Sequence, residues 1–347
     1  MAQDTVFFTP WSANTNLLNS AASLYSEAGI LRVIDTGDLV AIKLHAGERG
    51  NPNYVEPFLV RQIFDLVKKV GGKPFLTDTN TYYRAKRNNA VDHMETAEMN
   101  GFGQMPFMVA DGLVGENYVE VPTVGVLDKI FVAGAVAKAD AMIVVSHFKG
   151  HPLGGFGGAI KNLGMGCVAK ETKLAQHRRV DIVVDKDKCT GCGTCTEVCW
   201  FGVPKVVDDC SIIDGPECMR CLTCLSNCPE GAITLLHRER LGDGLAAAAM
   251  GVLSTFNPAK VAFITFAKDI VELCDCLPLV SPIVTPDLGI FAGLSPLSID
   301  ASVLGQVDYN HLNTLHDTDC FRQIRAIKEL GCPGTDTPDV IKVTLEK

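Results

Sequence analysis

The sequence of 347 residues predicts an α/β protein, with a mostly parallel sheet, helices on its faces and a cysteine-rich insert. Three observations carry that expectation. Apolar runs of strand length alternate with stretches whose apolar residues recur at helical spacing, the pattern of strand–helix–strand units. Hydrophobic residues make up 47% and charged residues 20% of the chain, which suits a globular protein with a sizeable core. Nine of the 14 cysteines lie between 189 and 228, and they break the alternation at one place.

In chain order, LVAIKLHA (39–46) reads as a buried strand. VEPFLVRQIFDLVKKV (55–70) has helical spacing and stops at Gly71-Gly72. PFLTDTN (74–80) is a strand that leaves polar residues at its carboxyl end, and RNNAVDHMETAEMNG (87–101) a helix closed by glycine. LDKIFVAGAVAKAD (127–140) reads as a further helix and AMIVVSHF (141–148) as a strand. Beyond the cysteines come a helix at LAAAAMGVLSTF, strands at VAFITFA (261–267) and LGIFAG (288–293), and a last helix at CFRQIRAIKELG (320–331). GLAAAAMGVL (244–253) is the nearest approach to a membrane span and is too short. The division that results is a first α/β part over 1–180, an insert over 181–237 and a second α/β part over 238–347. A surface loop is where such an insertion is tolerated.

The insert contains CTGCGTCTEVCWFGVPKVVDDCSIIDGPECMRCLTCLSNCPEGAI. Eight of its cysteines repeat one spacing, Cys189, Cys192, Cys195, Cys199 and then Cys218, Cys221, Cys224, Cys228, each 29 residues after its counterpart. Disulfides would need an oxidising compartment, and MAQDTVFFTPW shows no basic region followed by an apolar core. Zinc ribbons use paired Cys-x-x-Cys knuckles rather than this run. The spacing C-x2-C-x2-C-x3-C is that of bacterial iron–sulfur proteins, so two 4Fe–4S clusters are expected. Cys210 falls outside the register and reads as a small buried hydrophobe. A reducing cytoplasm and a low-oxygen or anaerobic host are the expectations that follow.

The segment resembles the two-cluster bacterial ferredoxins. That resemblance implies crossed ligation, with Cys189, Cys192, Cys195 and Cys228 on one cluster and Cys199, Cys218, Cys221 and Cys224 on the other. Pro229 after Cys228 fits the family, whereas Trp200 stands after Cys199 where it usually has proline. Gly191, Gly193 and Gly231 suit tight backbone beside an inorganic core. The chain carries a formal charge of −9, and residues 181–237 hold nine Asp or Glu against four Lys or Arg. An acidic face there would steer redox partners with a basic docking surface. No basic stripe points to nucleic acid.

A second signal follows the strand at 141–148. SHFKGHPLGGFGGAIKNLGMGC (146–167) holds seven glycines, two histidines and two lysines, and it matches neither the Walker loop nor the dinucleotide fingerprint. A glycine-rich loop after a parallel strand brings backbone N–H groups close to a ligand. With AIKLHAGERGN, TDTNTYYRAKRNNAVDHMETAEMNGF and CDCLPLVSPIVTPDLGIFAGLSPLSIDAS, this segment resembles the family catalogued as domain of unknown function 362. Members similar to this chain carry a ferredoxin insert at this place. A weaker likeness to the lactate racemase family implies a two-lobed α/β core with a cleft. In GLSPLSID, Ser295 stands where the family usually has aspartate before the proline.

Carboxyl ends of parallel strands gather at one edge of a sheet. His45, His147 and His151 with Lys43, Lys149 and Lys161 are therefore expected to approach one another, and His147, Lys149, His151 and Lys161 are the catalytic candidates. His311, His316 and Asp317 read as surface or packing residues. Cys167, Cys274 and Cys276 are candidates for a third metal site, with His45 or His147 as a fourth ligand. The first functional reading is a ferredoxin-like electron-transfer protein with two 4Fe–4S clusters. The alternative is an iron–sulfur oxidoreductase or other enzyme with a substrate or cofactor site at 146–167. A scaffold that the clusters merely stabilise is the third.

Overall fold

The computed structural model describes residues 3–12, 16–122 and 124–344. Eight strands build the central sheet: β1 (Thr5–Pro10), β2 (Leu39–Lys43), β3 (Lys73–Asp78), β4 (Phe107–Val109), β5 (Ala141–His147), β6 (Val261–Ala267), β7 (Gly289–Gly293) and β8 (Asp339–Lys342). Their order is β8-β1-β7-β6-β5-β2-β3-β4. All neighbours are parallel except at β7, which runs antiparallel to both β1 and β6. The mostly parallel sheet expected from the sequence is therefore present. Strands from both parts of the chain join one continuous sheet where two lobes were expected.

Among the described residues nine helices of eight residues or more accompany it: α1 (Leu17–Glu27), α2 (Pro57–Lys69), α3 (Ala90–Ala97), α4 (Ala159–Gly166), α5 (Lys170–His177), α6 (Arg240–Leu253), α7 (Pro296–Leu304), α8 (Tyr309–His316) and α9 (Arg322–Glu329). Successive strand residues point to opposite faces, so each face collects alternate side chains. On one face Val40, Ile42, Ile143, Val145 and Ile264 pack against Leu24 of α1 and Leu59, Ile63 and Val67 of α2. On the other, Ala41, Met142, Val144 and Phe263 meet Leu163 of α4, Leu245 of α6 and Ile327 of α9. α2 forms where expected, with Pro57 in its first turn, and it ends before Gly71, whose φ is +93°. α4 and α6 lie unusually close, because a Cβ built on Gly164 would sit 2.3 Å from the Leu245 carbonyl oxygen.

The helix expected over 127–140 does not form. Ile130–Ala133 is a strand paired antiparallel with Tyr118–Val121, and Gly134–Ala137 is a single helical turn. The β-branched and aromatic run IFVA has a partner strand available, and pairing outweighs the weak helical periodicity. The helix expected over 87–101 is α3 followed by a wider turn at Glu98–Phe102, in which Gly101 has φ +93°.

Within 181–237, Asp181–Val184 pairs antiparallel with Ile233–Leu236, so the two ends of the segment lie side by side. Lys205–Val207 and Cys210–Ile212 form a hairpin, and Thr194–Glu197 and Thr223–Ser226 are single helical turns. Cys195, Val203, Ile213 and Ile233 make a small apolar cluster between them. Among the described residues no helix is long and apolar enough to cross a membrane.

Candidate functional site

A cavity of about 110 Å3, room for several waters or a small polar molecule, opens at the carboxyl ends of β2, β3 and β5. The strand ends contribute Lys43, His45, Asp78, Thr79, Ser146 and His147, and the hairpin Lys149–His151/Gly155–Gly157 adds Lys149 and His151. Gly157, Gly158, Lys161 and Asn162 come from the start of α4 and the loop before it, and Lys173 and His177 from α5. Tyr82, Tyr83 and Arg87 come from the loop after β3, and Cys276 from the loop after β6. The structure thus brings His45, His147, His151, Lys43, Lys149 and Lys161 together, as the strand-end argument expects. Asp78, Arg87, Lys173, His177, Tyr82 and Tyr83 are additional. Asp78 and Thr79 left a signal in the sequence as the polar end of a strand, Tyr82, Tyr83 and Arg87 lie in a segment that carries the family resemblance, and Lys173 and His177 left none.

The wall is strongly charged, and its carboxylate is paired, whereas among the described residues His45 Nε2 and His177 Nδ1 are buried without a hydrogen-bond partner. Asp78, 2% exposed, receives Lys43 Nζ at 3.1 Å and Arg87 Nη1 at 3.3 Å. Arg87 Nε also donates to Glu48 Oε2 at 3.1 Å. Burial alone would raise the Asp78 carboxyl, but Lys43, His93 and Arg87 hold it below its ordinary value. Lys173 donates to Thr79 Oγ1 at 2.7 Å and to the Asn80 carbonyl, and burial lowers it to about 8.

Beneath the cavity, fully buried Asp275 forms an ion pair with Lys149 at 2.8 Å and lies 3.0 Å from His147 Nδ1. Burial would raise that carboxyl, but Lys149 and His147 bring it to about 2. His147 Nε2 faces the Lys268 carbonyl at 2.8 Å, so both its ring nitrogens point at acceptors and neither is free to take a proton from a substrate. His151 Nδ1 accepts from the N–H groups of Leu153 and Gly154, at 3.2 and 3.0 Å, and His45 Nδ1 accepts from Gly47 at 3.0 Å. Burial lowers both imidazoles well below the usual value, with the neighbouring lysines adding to it. Lys161 donates to Cys274 Sγ at 3.3 Å. His147 and Lys149 therefore build the wall, while Lys161 and His151 are the candidates left with fewer partners.

Asp300 of α7 caps α4. Its oxygens accept from Ala159 N–H at 2.7 Å and Ile160 N–H at 2.8 Å, and it is fully buried. Gly158 leaves room for it, since a Cβ there would lie 2.4 Å from Asp300 Oδ1. Ser295, the departure noted in the sequence, caps α7 by accepting from Ser298 N–H at 3.2 Å, so it serves the helix start and not the cavity.

The eight repeated cysteines line two separate hollows. One is bordered by Cys189, Cys192, Cys195 and Cys228, the other by Cys199, Cys218, Cys221 and Cys224. Hydroxyl groups lie beside equivalent sulfurs in each half: Thr194 Oγ1 is 3.5 Å from Cys192 Sγ, and Thr223 Oγ1 is 3.4 Å from Cys221 Sγ. Ser211 N–H donates to Cys189 Sγ at 3.3 Å, and the N–H groups of Gly191 and Ser211 pull that thiol below its ordinary value. In the second set burial and the neighbouring thiols Cys221 and Cys218 push Cys224 up to about 11, a repulsion that a cationic centre would relieve. Four thiols around a hollow fit a multi-atom cluster in donor type and number. Cys210 is half-buried and bonds to Cys189, so it is a neighbour of that first set and not the buried hydrophobe expected.

Among the described residues no three His, Cys, Asp or Glu side chains are grouped as a single metal ion requires. Cys167, Cys274 and Cys276 are accordingly not brought together as a third site. Cys167 is fully buried at the end of α4, bonded to the Asn162 carbonyl, and burial pushes it up to about 12. Cys274 and Cys276 neighbour each other beside Lys161. His316 is buried packing, and His311 and Asp317 are exposed.

The second hollow and the cavity share a wall. The Tyr82 hydroxyl donates to the carbonyl of Arg220, between Cys218 and Cys221, at 3.3 Å, and its ring lies 4.9 Å from that of His177. The Tyr83 hydroxyl donates to the Cys276 carbonyl at 3.3 Å.

Comparison with known proteins gives three kinds of likeness. The chain is 37% identical over 60 residues to an uncharacterised ferredoxin of Methanocaldococcus jannaschii, 16% of this chain and 78% of that protein. It is 32% identical over 68 residues to one polypeptide of the H(2):CoB-CoM heterodisulfide,ferredoxin reductase of Methanothermobacter thermautotrophicus, 14% of this chain but only 10% of that polypeptide. Among solved structures, the lactate racemase apoprotein of Thermoanaerobacterium thermosaccharolyticum aligns at TM-score 0.38 and 13% identity, over 77% of this chain and 51% of its own. A Thermotoga maritima protein aligns at TM-score 0.40 and 10% identity, over 90% of this chain and 58% of its own. A family profile described as "Domain of unknown function (DUF362)" matches residues 40–304, which span the cavity and the cysteine segment alike, and the chain belongs to that family.

Proposed function

We propose that the chain is a two-cluster iron–sulfur redox protein whose second centre serves the cationic cavity of the α/β core. The observation that carries this reading is the sorting of eight thiols into two sets of four, each around its own hollow and each borrowing one cysteine from the other half of the repeat. A 4Fe–4S cluster, when bound, supplies a one-electron carrier that keeps its four ligands in both states. Cys189, Cys192, Cys195 and Cys228 would hold one, and Cys199, Cys218, Cys221 and Cys224 the other. The likeness to a ferredoxin over 60 residues, close to the length of 181–237, supports the same reading. The meeting of Asp181–Val184 with Ile233–Leu236 supports reading 181–237 as an insert between 1–180 and 238–347.

A pure carrier needs no cavity beside its cluster ligands. The contact from Arg220 to Tyr82 therefore favours an oxidoreductase, in which the core binds a small molecule within reach of the second thiol set. Lys43, Lys149, Lys161, Lys173 and Arg87 line that cavity, so an anionic compound suits it. Lys161 and Lys173 would orient it, and Gly157 and Gly158 let it approach the backbone. The first thiol set lies at the surface, with Cys192 exposed and Glu230 beside it, and a redox partner with a basic face suits that side.

Anaerobically prepared protein is expected to hold about eight iron and eight sulfide. Cys199→Ala should leave about half of each, and Cys218, Cys221 and Cys224 should become open to alkylation while Cys189, Cys192 and Cys195 stay protected. Protection lost at the first set instead would refute the crossed arrangement.

A further inference from the structure

We propose that Cys274 and Cys276 form a redox-active dithiol–disulfide pair that exchanges with small disulfides entering the cavity. The proposal shares the cavity with the reading above but does not depend on iron. Cys274-Asp275-Cys276-Leu277 is a tight turn, closed by Leu277 N–H donating to the Cys274 carbonyl at 3.0 Å. Residues two apart in a turn lie within ~7 Å at Cα, inside the range a disulfide spans. The turn is fixed from three sides: Glu48 N–H donates to the Asp275 carbonyl, Asn51 to the Leu277 carbonyl, and Tyr83 to the Cys276 carbonyl. Asp275 points away, onto His147 and Lys149. Cys276 lines the cavity, whereas Cys274 is 1% exposed and takes the Lys161 ammonium at 3.3 Å.

The groups facing the pair are Lys161 from α4, Lys149 from the hairpin after β5, Tyr83 and Arg87 from the loop after β3, and Asp275 between them. The hydrogen bond from Cys276 draws Cys274 well below its ordinary value, with Lys161 and Lys149 overcoming the effect of burial. The same bond and burial raise Cys276. The two sulfurs thus share one proton, and the Lys161 ammonium against Cys274 Sγ favours the singly deprotonated pair that exchange needs.

Attack starts from the minor form of the pair in which the shared proton sits on Cys274: Cys276 Sγ, the sulfur open to the cavity, is then the thiolate and attacks the incoming disulfide, forming a mixed disulfide and expelling one thiolate. Cys274 gives that proton to the departing thiolate and attacks Cys276 Sγ, expelling the second thiolate. The pair loses two electrons to become Cys274–Cys276 disulfide, and the substrate gains two to become one thiol and one thiolate. Return to the starting state takes two electrons and one proton, from an external dithiol or from two equivalents of a low-potential one-electron donor.

The test uses the full-length, cluster-loaded protein and 2-hydroxyethyl disulfide under anaerobic conditions. After an acid quench, alkylation and trypsin, the peptide 269–322 carries the pair together with Cys320. The expected result is loss of two alkyl groups with formation of a Cys274–Cys276 disulfide, reversed by dithiothreitol, and Cys274→Ser should stop the reaction at a stable adduct on Cys276. Two free thiols after treatment of the wild type, or a stable adduct on Cys276 alone, would overturn the proposal. Lys161→Met should slow exchange at neutral pH by about tenfold and move its pH profile upward, with Lys161→Arg restoring it. An unmoved profile in a folded Lys161→Met protein would also overturn it. Iron measured on the same samples separates the two readings: exchange without eight iron sinks the cluster assignment alone, and eight iron without exchange sinks this one.

Discussion

Replacing Asp300 by Asn removes an ionisable group and one acceptor from the buried start of α4. The carboxylate takes hydrogen bonds from Ala159 at 2.7 Å and Ile160 at 2.8 Å, and nothing of it reaches solvent. Burial pushes its carboxyl up to about 7 against an ordinary 3.8, despite those two N–H groups and Lys149 acting in the opposite direction. A carboxyl raised in the folded state binds its proton more tightly there than when unfolded. Its contribution to stability is therefore fully present below pH 3.8 and is lost as pH rises toward 7. Between pH 5 and pH 8 that loss amounts to about 2–3 kcal/mol by proton linkage. Asn has no such term. It leaves one backbone N–H without an acceptor, a pH-independent cost of about 1–3 kcal/mol. Asp300→Asn should accordingly be the weaker protein at pH 5 and match or surpass the wild type at pH 8. Anaerobic urea titration followed by far-ultraviolet circular dichroism measures the difference, and effects of pH on the cysteine segment, common to both proteins, cancel in it. A gap that stays constant with pH, or widens in favour of wild type as pH rises, would show that Asp300 is ionised throughout and refute the reasoning.

Asp78→Asn keeps the shape of its site but leaves Lys43 without its carboxylate and Arg87 with Glu48 alone; breaking such a buried pair should cost about 3–5 kcal/mol, read as a lowered urea midpoint. A midpoint unchanged within error would mean that the network is solvated. Gly164→Ala gains about 1 kcal/mol of helix propensity but sets a Cβ 2.3 Å from the Leu245 carbonyl, so α4 and α6 must part and the net effect should be a loss of about 1–3 kcal/mol. A stabilised variant would show that the two helices separate at no cost.

The features legible in the chain alone were those whose cause is local. The eight cysteine positions could be read because the thiols around each hollow are mostly neighbours in the chain, and their spacing is set by how far short loops reach. β2, β3, β5, β6 and β7, with α2, α6 and α9, were legible because period-2 and period-3.6 patterns arise within single segments. Whatever depends on distant pieces meeting came only with the folded chain. Ile130–Ala133 became a strand because Tyr118–Val121 was there to pair with it. The 29-residue repeat kept its backbone where its glycines were lost: Gly191 and Gly193 have φ of +65° and +80°, and their counterparts Arg220 and Leu222 hold +50° and +64°. Packing around that loop must offset the left-handed strain, about 1–2 kcal/mol per residue, and no local pattern announces it. The cavity shows the same limit. His147 sits at a strand end as expected, but its inability to act as a base follows from Asp275 and the Lys268 carbonyl, more than 100 residues away. A hydrogen bond is decided by where two groups stand in space, and a sequence of residue types records only one of them at a time.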